Sequence, residues 1–147
     1  MIVKYIVRLQ LKSVEIPHRL RGTNIALCCN DRIMETENDA TGIVLSYIKA
    51  LNNENYNVAA ECLNDEVRII GPAGESFSKP EEFINMLRQY RGKYEMKKYF
   101  SDGDDVCLLY DLVTQGKKVY MSSWYHVSRG KIDFIRTIFD PSQFSSP

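Results

Sequence analysis

The side chains of this 147-residue chain that could move a proton or hold a metal are few and scattered. Its two histidines, His18 and His126, lie far apart, which does not suit a histidine-based metal centre. The four cysteines, Cys28, Cys29, Cys62 and Cys107, form no CxxC pair and no regular spacing, so they read as reduced, mostly buried thiols. Asp102, Asp104 and Asp105 invite a calcium reading, but Cys107 stands where an EF-hand needs glycine and Val113 where it needs the bidentate glutamate. A solvated turn remains. Gly71-Pro72-Ala73-Gly74 lacks the Lys-Ser/Thr that would make it a phosphate loop. Basic and aromatic residues interleave from Arg88 to Tyr99, a pattern able to touch RNA and equally that of a helix end followed by an edge strand. The expectation is therefore no metal, no cofactor and no nucleic-acid partner.

Composition agrees with an ordinary globular domain, 44% hydrophobic and 26% charged, long enough to bury a core without staples. No apolar run approaches a membrane span and no leader peptide is legible, so a cytoplasmic protein without membrane contact is expected. Residues 1–33 carry six Lys/Arg against Glu15 and Asp31, while the remainder is net acidic. That stretch, with a period-2 run from Val3 to Leu11 but no continuous pattern after Pro17, is expected to be an extension, with the domain proper over 34–147.

The stretch that must position any site is Val119 to Phe139, two long strands joined at Arg129-Gly130-Lys131. One face carries Val119, Met121, Ser123, Tyr125, Val127, Ile135, Thr137 and Phe139; the other carries Tyr120, Ser122, Trp124, His126, Phe134, Arg136 and Ile138. Both faces are largely apolar, so the hairpin is expected to cover something on each side. Upstream, Ile43, Leu45, Tyr47, Ile48 and Leu51 predict a helix capped by Asn38 or Asp39, and Val58 to Leu63 a shorter one. A strand over Val67–Ile70 follows, then a helix opening at Lys79-Pro80-Glu81-Glu82 with Ser78 as cap, then strands over 94–100 and 106–114. Helices followed by a run of antiparallel strands predict an α+β fold, a curved sheet wrapped around helices as a cone with a cavity at its mouth.

Tyr47-Ile48-x-Ala50-Leu51-Asn52, Gly71-Pro72-Ala73-Gly74, Phe100 to Tyr110, and Gly130-Lys131-Ile132 leading to Phe139-Asp140-Pro141 resemble, in order and spacing, the nuclear transport factor 2-like superfamily and its SnoaL-like branch. The resemblance covers roughly residues 38–144 and implies the cone-shaped, mixed but mainly antiparallel sheet. Its members include ketosteroid isomerase, polyketide cyclases, limonene epoxide hydrolase and scytalone dehydratase, beside proteins with no catalysis, so fold alone does not give function. The resemblance to the isomerase puts its oxyanion-hole tyrosine on Tyr47, its general-base aspartate on Gly71 and its protonated oxyanion-hole acid on Ser123. The acid/base aspartate of the cyclases falls on Thr137, whose hydroxyl cannot exchange a proton near neutral pH. Loss of the base is expected to cost an isomerase on the order of 10² to 10⁴ in rate.

The same register implies a pocket lined by Tyr47, Ile69, Phe83, Met86, Leu87, Leu108, Tyr110, Leu112, Ser123, Tyr125, Ile135, Thr137 and Phe139, without carboxylate, histidine or lysine, and suited to a small apolar ligand. Trp124, His126, Phe134, Arg136 and Ile138 then form an outward patch, expected to be covered by a homodimer packed sheet to sheet. A one-residue slip would exchange the faces and bring His126 inward with Asp111 as partner, a conceivable acid/base pair. The catalytic candidates are thus Tyr47 and His126. Three functions follow: a base-free binder anchored by Tyr47 and Ser123; an isomerase, cyclase or dehydratase with Tyr47 as electrophile; or a protein-interaction module.

Overall fold

The computed structural model describes residues 39–144; the expected extension over 1–33 and the strand near its start lie outside them. Helix α1 (Ala40–Asn52) begins where the Asp39 carboxylate accepts from the Gly42 amide at 2.5 Å. Ile43, Val44, Tyr47, Ile48 and Leu51 recur at helical spacing and are all buried, forming one apolar face. At its far end the Asn52 side chain accepts from the Tyr94 amide at 2.7 Å and donates to the Tyr94 carbonyl at 2.9 Å, which fixes where the later sheet begins.

Helix α2 (Tyr56–Glu61) is a turn and a half long, and strands β1 (Leu63–Gly71) and β2 (Gly74–Ser78) form a hairpin after it. The expected second helix is thus two residues too long, because Cys62 caps it and Leu63 already pairs with Ile132. Helix α3 (Pro80–Tyr90) has Lys79, not Ser78, as its cap. Proline forces the residue before it into extended backbone, and Lys79 at φ −73°, ψ 150° obeys. The buried Thr114 hydroxyl donates to the Tyr90 carbonyl and ties down the other end of α3.

Strands β3 (Lys93–Asp102), β4 (Asp105–Thr114), β5 (Lys117–Ser128) and β6 (Lys131–Ile138) complete a six-stranded sheet in the order β2-β1-β6-β5-β4-β3. Only β1 and β6 run parallel; every other pair is antiparallel. Irregularities between Met96 and Lys98 and between His126 and Val127 bend the strands, and α1 and α3 occupy the concave side. The β5–β6 turn is tight because Arg129 (φ 53°) and Gly130 (φ 75°) both adopt left-handed backbone, the geometry that matches strand twist.

The hairpin pairs Ser123 with Thr137, Tyr125 with Ile135, Trp124 with Arg136 and His126 with Phe134. Val119, Met121, Ser123, Tyr125 and Val127 are all buried against the helices, together with Val44, Val67, Val106 and Ile132. Their neighbours on β5 alternate outward. The faces are therefore those of the unslipped register. On the outer face Tyr120, Trp124 and Ile138 are exposed in the single chain.

Candidate functional site: a tyrosine-walled cavity

Between α1, α3 and the concave side of the sheet lies a cavity of about 420 Å³. Tyr47 enters from α1; Phe83, Met86 and Leu87 from α3; Ile69 from β1; Tyr110 and Leu112 from β4; Tyr125 from β5; Ile135, Thr137 and Phe139 from β6 and its end. Two residues expected at the surface of this pocket are not there. Leu108 and Ser123 have the right face but are fully buried; Ser123 lies between the cavity-lining Met121 and Tyr125 on β5, and its small side chain is covered by Tyr110 and Thr137.

Residues missed from the sequence complete the lining. Met121 and Tyr94 face inward beside the expected set, and the mouth is built from Ile70 to Gly74, Ser76, Ser78, Glu82 and Tyr90. Glu82 corrects the expectation of a lining without carboxylates. It stands exposed in the first turn of α3, at the rim.

Burial pushes the phenols of Tyr47, Tyr94 and Tyr125 well above their ordinary range, reinforced by neighbouring tyrosines, and raises that of Tyr110 against the hydrogen bonds with Ser123 and Tyr125 that lower it. They stay protonated near neutrality. Such groups donate hydrogen bonds and cannot serve as bases. Tyr47 and Tyr125 meet edge to face with ring centres 6.1 Å apart, and no hydrogen-bond partner for the Tyr47 hydroxyl is found among the described residues. Ser123 is committed elsewhere: its hydroxyl lies 2.8 Å from that of Tyr110 and 2.9 Å from that of Thr137. Ser123→Ala is expected to strand both partners inside the fold and cost about 1–3 kcal/mol, read from denaturant midpoints at unchanged slope.

His126 takes no part in this cavity. It lies on the outer face, where its Nδ1 is 3.0 Å from Asp105 Oδ1, and the Trp124 indole donates to the same oxygen at 2.7 Å. The alternative partner, Asp111, pairs instead with Lys97 at 3.0 Å and Lys118 at 3.7 Å. The slipped register and its inward imidazole are thereby corrected. The reason is burial: a one-residue slip would expose Met121, Tyr125, Val127 and Ile135 and turn His126 and Arg136 inward in their place.

The Trp124 indole, ahead of His126, holds the Asp105 carboxyl below its usual range. A carboxyl lowered on folding contributes stability above its unfolded value near ~3.9, and that contribution is lost as pH falls through the lower folded value. Asp105→Asn should therefore flatten part of the fall in melting temperature between about pH 5 and about pH 2. Thermal melts across that range check it.

Among the described residues no group of three or more His, Cys, Asp or Glu side chains could hold a metal ion, and no helix is long and apolar enough to cross a membrane. Cys62 and Cys107 form no disulfide with each other, and burial raises the Cys62 thiol.

The sheet order, the inward tyrosines and the cavity at the wide end define a cone-fold protein of the nuclear transport factor 2-like superfamily. The SnoaL-like domain model matches residues 44–135, and the chain belongs to that family. Among solved structures it is similar to a nuclear transport factor 2-like protein of unknown function from Cytophaga hutchinsonii, at 35% identity over 76% of this chain and 98% of that one, with a TM-score of 0.70. An LEH-like epoxide hydrolase from M. tuberculosis matches at 19% identity over 71% of this chain and 84% of its own, TM-score 0.60. A de novo designed protein with a curved β-sheet matches at 23% identity over 74% and 90%, TM-score 0.62. The last two share the fold only. A comparison with curated protein sequences finds no match.

Proposed function

We propose that this protein binds a small, mostly apolar molecule in the conical cavity and has no proton acceptor of its own at the closed end. The observation that supports it is the wall: aliphatic and aromatic carbon, four buried neutral phenols, Tyr90 at the mouth, and a single carboxylate confined to the rim. The volume of about 420 Å³ lies within the range of small-ligand sites. A bound ligand stabilises the folded state by mass action, so tetralin, a small fused-ring hydrocarbon, should raise the melting temperature in a concentration-dependent way. No rise up to its solubility limit sets the reading aside.

A second reading rests on Glu82. An enzyme with Tyr47 as electrophile would use this rim carboxylate as its base, and the epoxide hydrolase sharing the fold suggests epoxides as first substrates. Turnover of a small lipophilic epoxide that Glu82→Gln abolishes would establish it; equal rates in both proteins would exclude it.

The proposal includes a homodimer formed through the convex face, and a cytoplasmic location. Ile138 is 63% exposed, Phe77 61% and Trp124 42%, on the convex face of β6, β2 and β5, with Phe134 against Trp124 and the Glu75-paired Arg68 between Phe77 and Phe134. Arg136 stands exposed in their midst without a carboxylate within salt-bridge distance among the described residues. An apolar patch of this extent around an unpaired cation suits a self-complementary surface. Ile138→Glu is expected to shift sedimentation to the monomer at micromolar concentration; a wild type that sediments as a monomer rejects the dimer.

A further inference from the structure

Among the described residues Oδ1 of Asp133 is buried without a hydrogen-bond partner. Buried polar groups are nearly always bonded, so this carboxylate needs an explanation. Its place follows from the two ladders beside it. His126 pairs with Phe134 and Val127 with Ile132, which leaves Asp133 as an extra residue on β6. On the other side Leu63 pairs with Ile132 and Arg68 with Phe134, so Asn64 to Val67 stand against Asp133 alone and the two strands part. The parting opens a groove of about 500 Å³ on the convex face, walled by Asn64, Glu66, Trp124, Asp133 and Phe134.

The charges of this groove do not balance. Arg68 is held by Glu75 at 2.6 Å and lies over the Phe134 ring, and His126 Nδ1 is 3.0 Å from Asp105 Oδ1. Neither Asp133 nor Glu66 has a cation within salt-bridge distance among the described residues. The side chain of Asp133 is only partly covered, and the broad χ2 torsion of aspartate lets it turn either oxygen outward. A carboxylate set beside two aromatic rings suits a flat, weakly hydrated cation with several N–H donors, which is a guanidinium.

The same face carries one. Arg136 is exposed, has no carboxylate within reach, and stands three residues beyond Asp133, roughly 10 Å along β6. A two-fold axis that lies in the interface and crosses β6 between Phe134 and Ile135 exchanges these two positions, because a two-fold contact is its own complement. Each guanidinium then faces the other copy's carboxylate, with the two Phe134 rings near the axis.

Resting on the reading of the convex face as a dimer face, we infer that the groove is a socket for a second copy of this chain: Arg136 of each subunit pairs with the partner's Asp133, and the two reciprocal pairs set the register of the dimer. An apolar face alone would let the two sheets slide over each other. Charge pairs admit one offset and penalise the others.

The test exchanges the charges in the full chain. Arg136→Asp alone and Asp133→Arg alone each set like charges opposite one another twice per dimer, and each is expected to weaken association on the order of a hundredfold or more. An equimolar mixture of the two variants restores both pairs. Sedimentation should show monomers for each variant and dimers for the mixture, and native mass spectrometry should find those dimers mixed in composition. Thermal melts confirm that each variant is folded. If Asp133→Arg does not fold, Asp133→Asn and Arg136→Gln are combined, and their effects on the dimer constant should be strongly non-additive. Folded variants that dimerise as wild type does, a mixture that stays monomeric, or additive effects would overturn the pairing; loss of the wild-type dimer in Ile138→Glu would still leave the dimer face standing. A monomeric wild type would overturn both.

Discussion

Met86→Trp is expected to lower the affinity for tetralin on the order of 50- to 100-fold while leaving the melting temperature of the unliganded protein unchanged or slightly raised. Met86 sits at the cavity mouth on α3 and is 43% exposed, so no packed core has to yield to the larger side chain. An indole laid inward would bury about 100 Å² against the tyrosine wall, roughly half of what a tryptophan can bury. At about 25 cal/mol per Å² that is about 2.5 kcal/mol, which an entering ligand has to displace. Titration calorimetry reads the affinity and a thermal melt reads the fold. Unchanged affinity in the variant would mean that tetralin binds somewhere else.

Leu108→Ala is expected to do the reverse, costing about 2–5 kcal/mol of stability with little change in ligand affinity at temperatures where the variant is folded. Leu108 has no exposed surface and lies behind the cavity wall, on the strand that packs against α1. Its truncation opens a void in the hydrophobic core that the surrounding side chains can close only in part. For a domain of this size the melting temperature should fall by on the order of 10 °C. A stable variant with altered tetralin affinity would instead return Leu108 to the ligand surface. The two substitutions together separate wall from core.

That separation was not legible in the sequence. Alternation along β4 and β5 gives the face on which Leu108 and Ser123 lie, but period two carries no information about depth along the cone. Both residues point as expected and both are fully buried, Ser123 between Met121 and Tyr125, which do line the cavity. The hairpin itself was legible because Arg129-Gly130 supplies the turn and because only one register buries Tyr125 and Ile135 together. Strand β2 was not: Glu75-Ser76-Phe77-Ser78 offers one large apolar side chain, and it points outward, 61% exposed. The mouth of the cavity was missed with it, since Ser76 and Ser78 are the inward side of that strand.

Glu82 had a usable signal. Glu82, Met86 and Tyr90 follow at intervals of four along α3, one ridge of the helix, and all three line the cavity. Reading only apolar residues into that ridge left the carboxylate out. The placement of His126 turned on register alone. Its pairing with Phe134 puts it among Trp124, Asp105 and Arg68 on the convex side, where an imidazole can support an interface but cannot reach Tyr47 through the sheet.

The most direct test labels the methyl groups of isoleucine and leucine and follows them as tetralin is added. Shifts should concentrate on Ile69, Leu87, Leu112 and Ile135, whose side chains line the cavity. Movement confined to Leu109 and Ile138 on the convex face, or none anywhere, would contradict a ligand held within the cone.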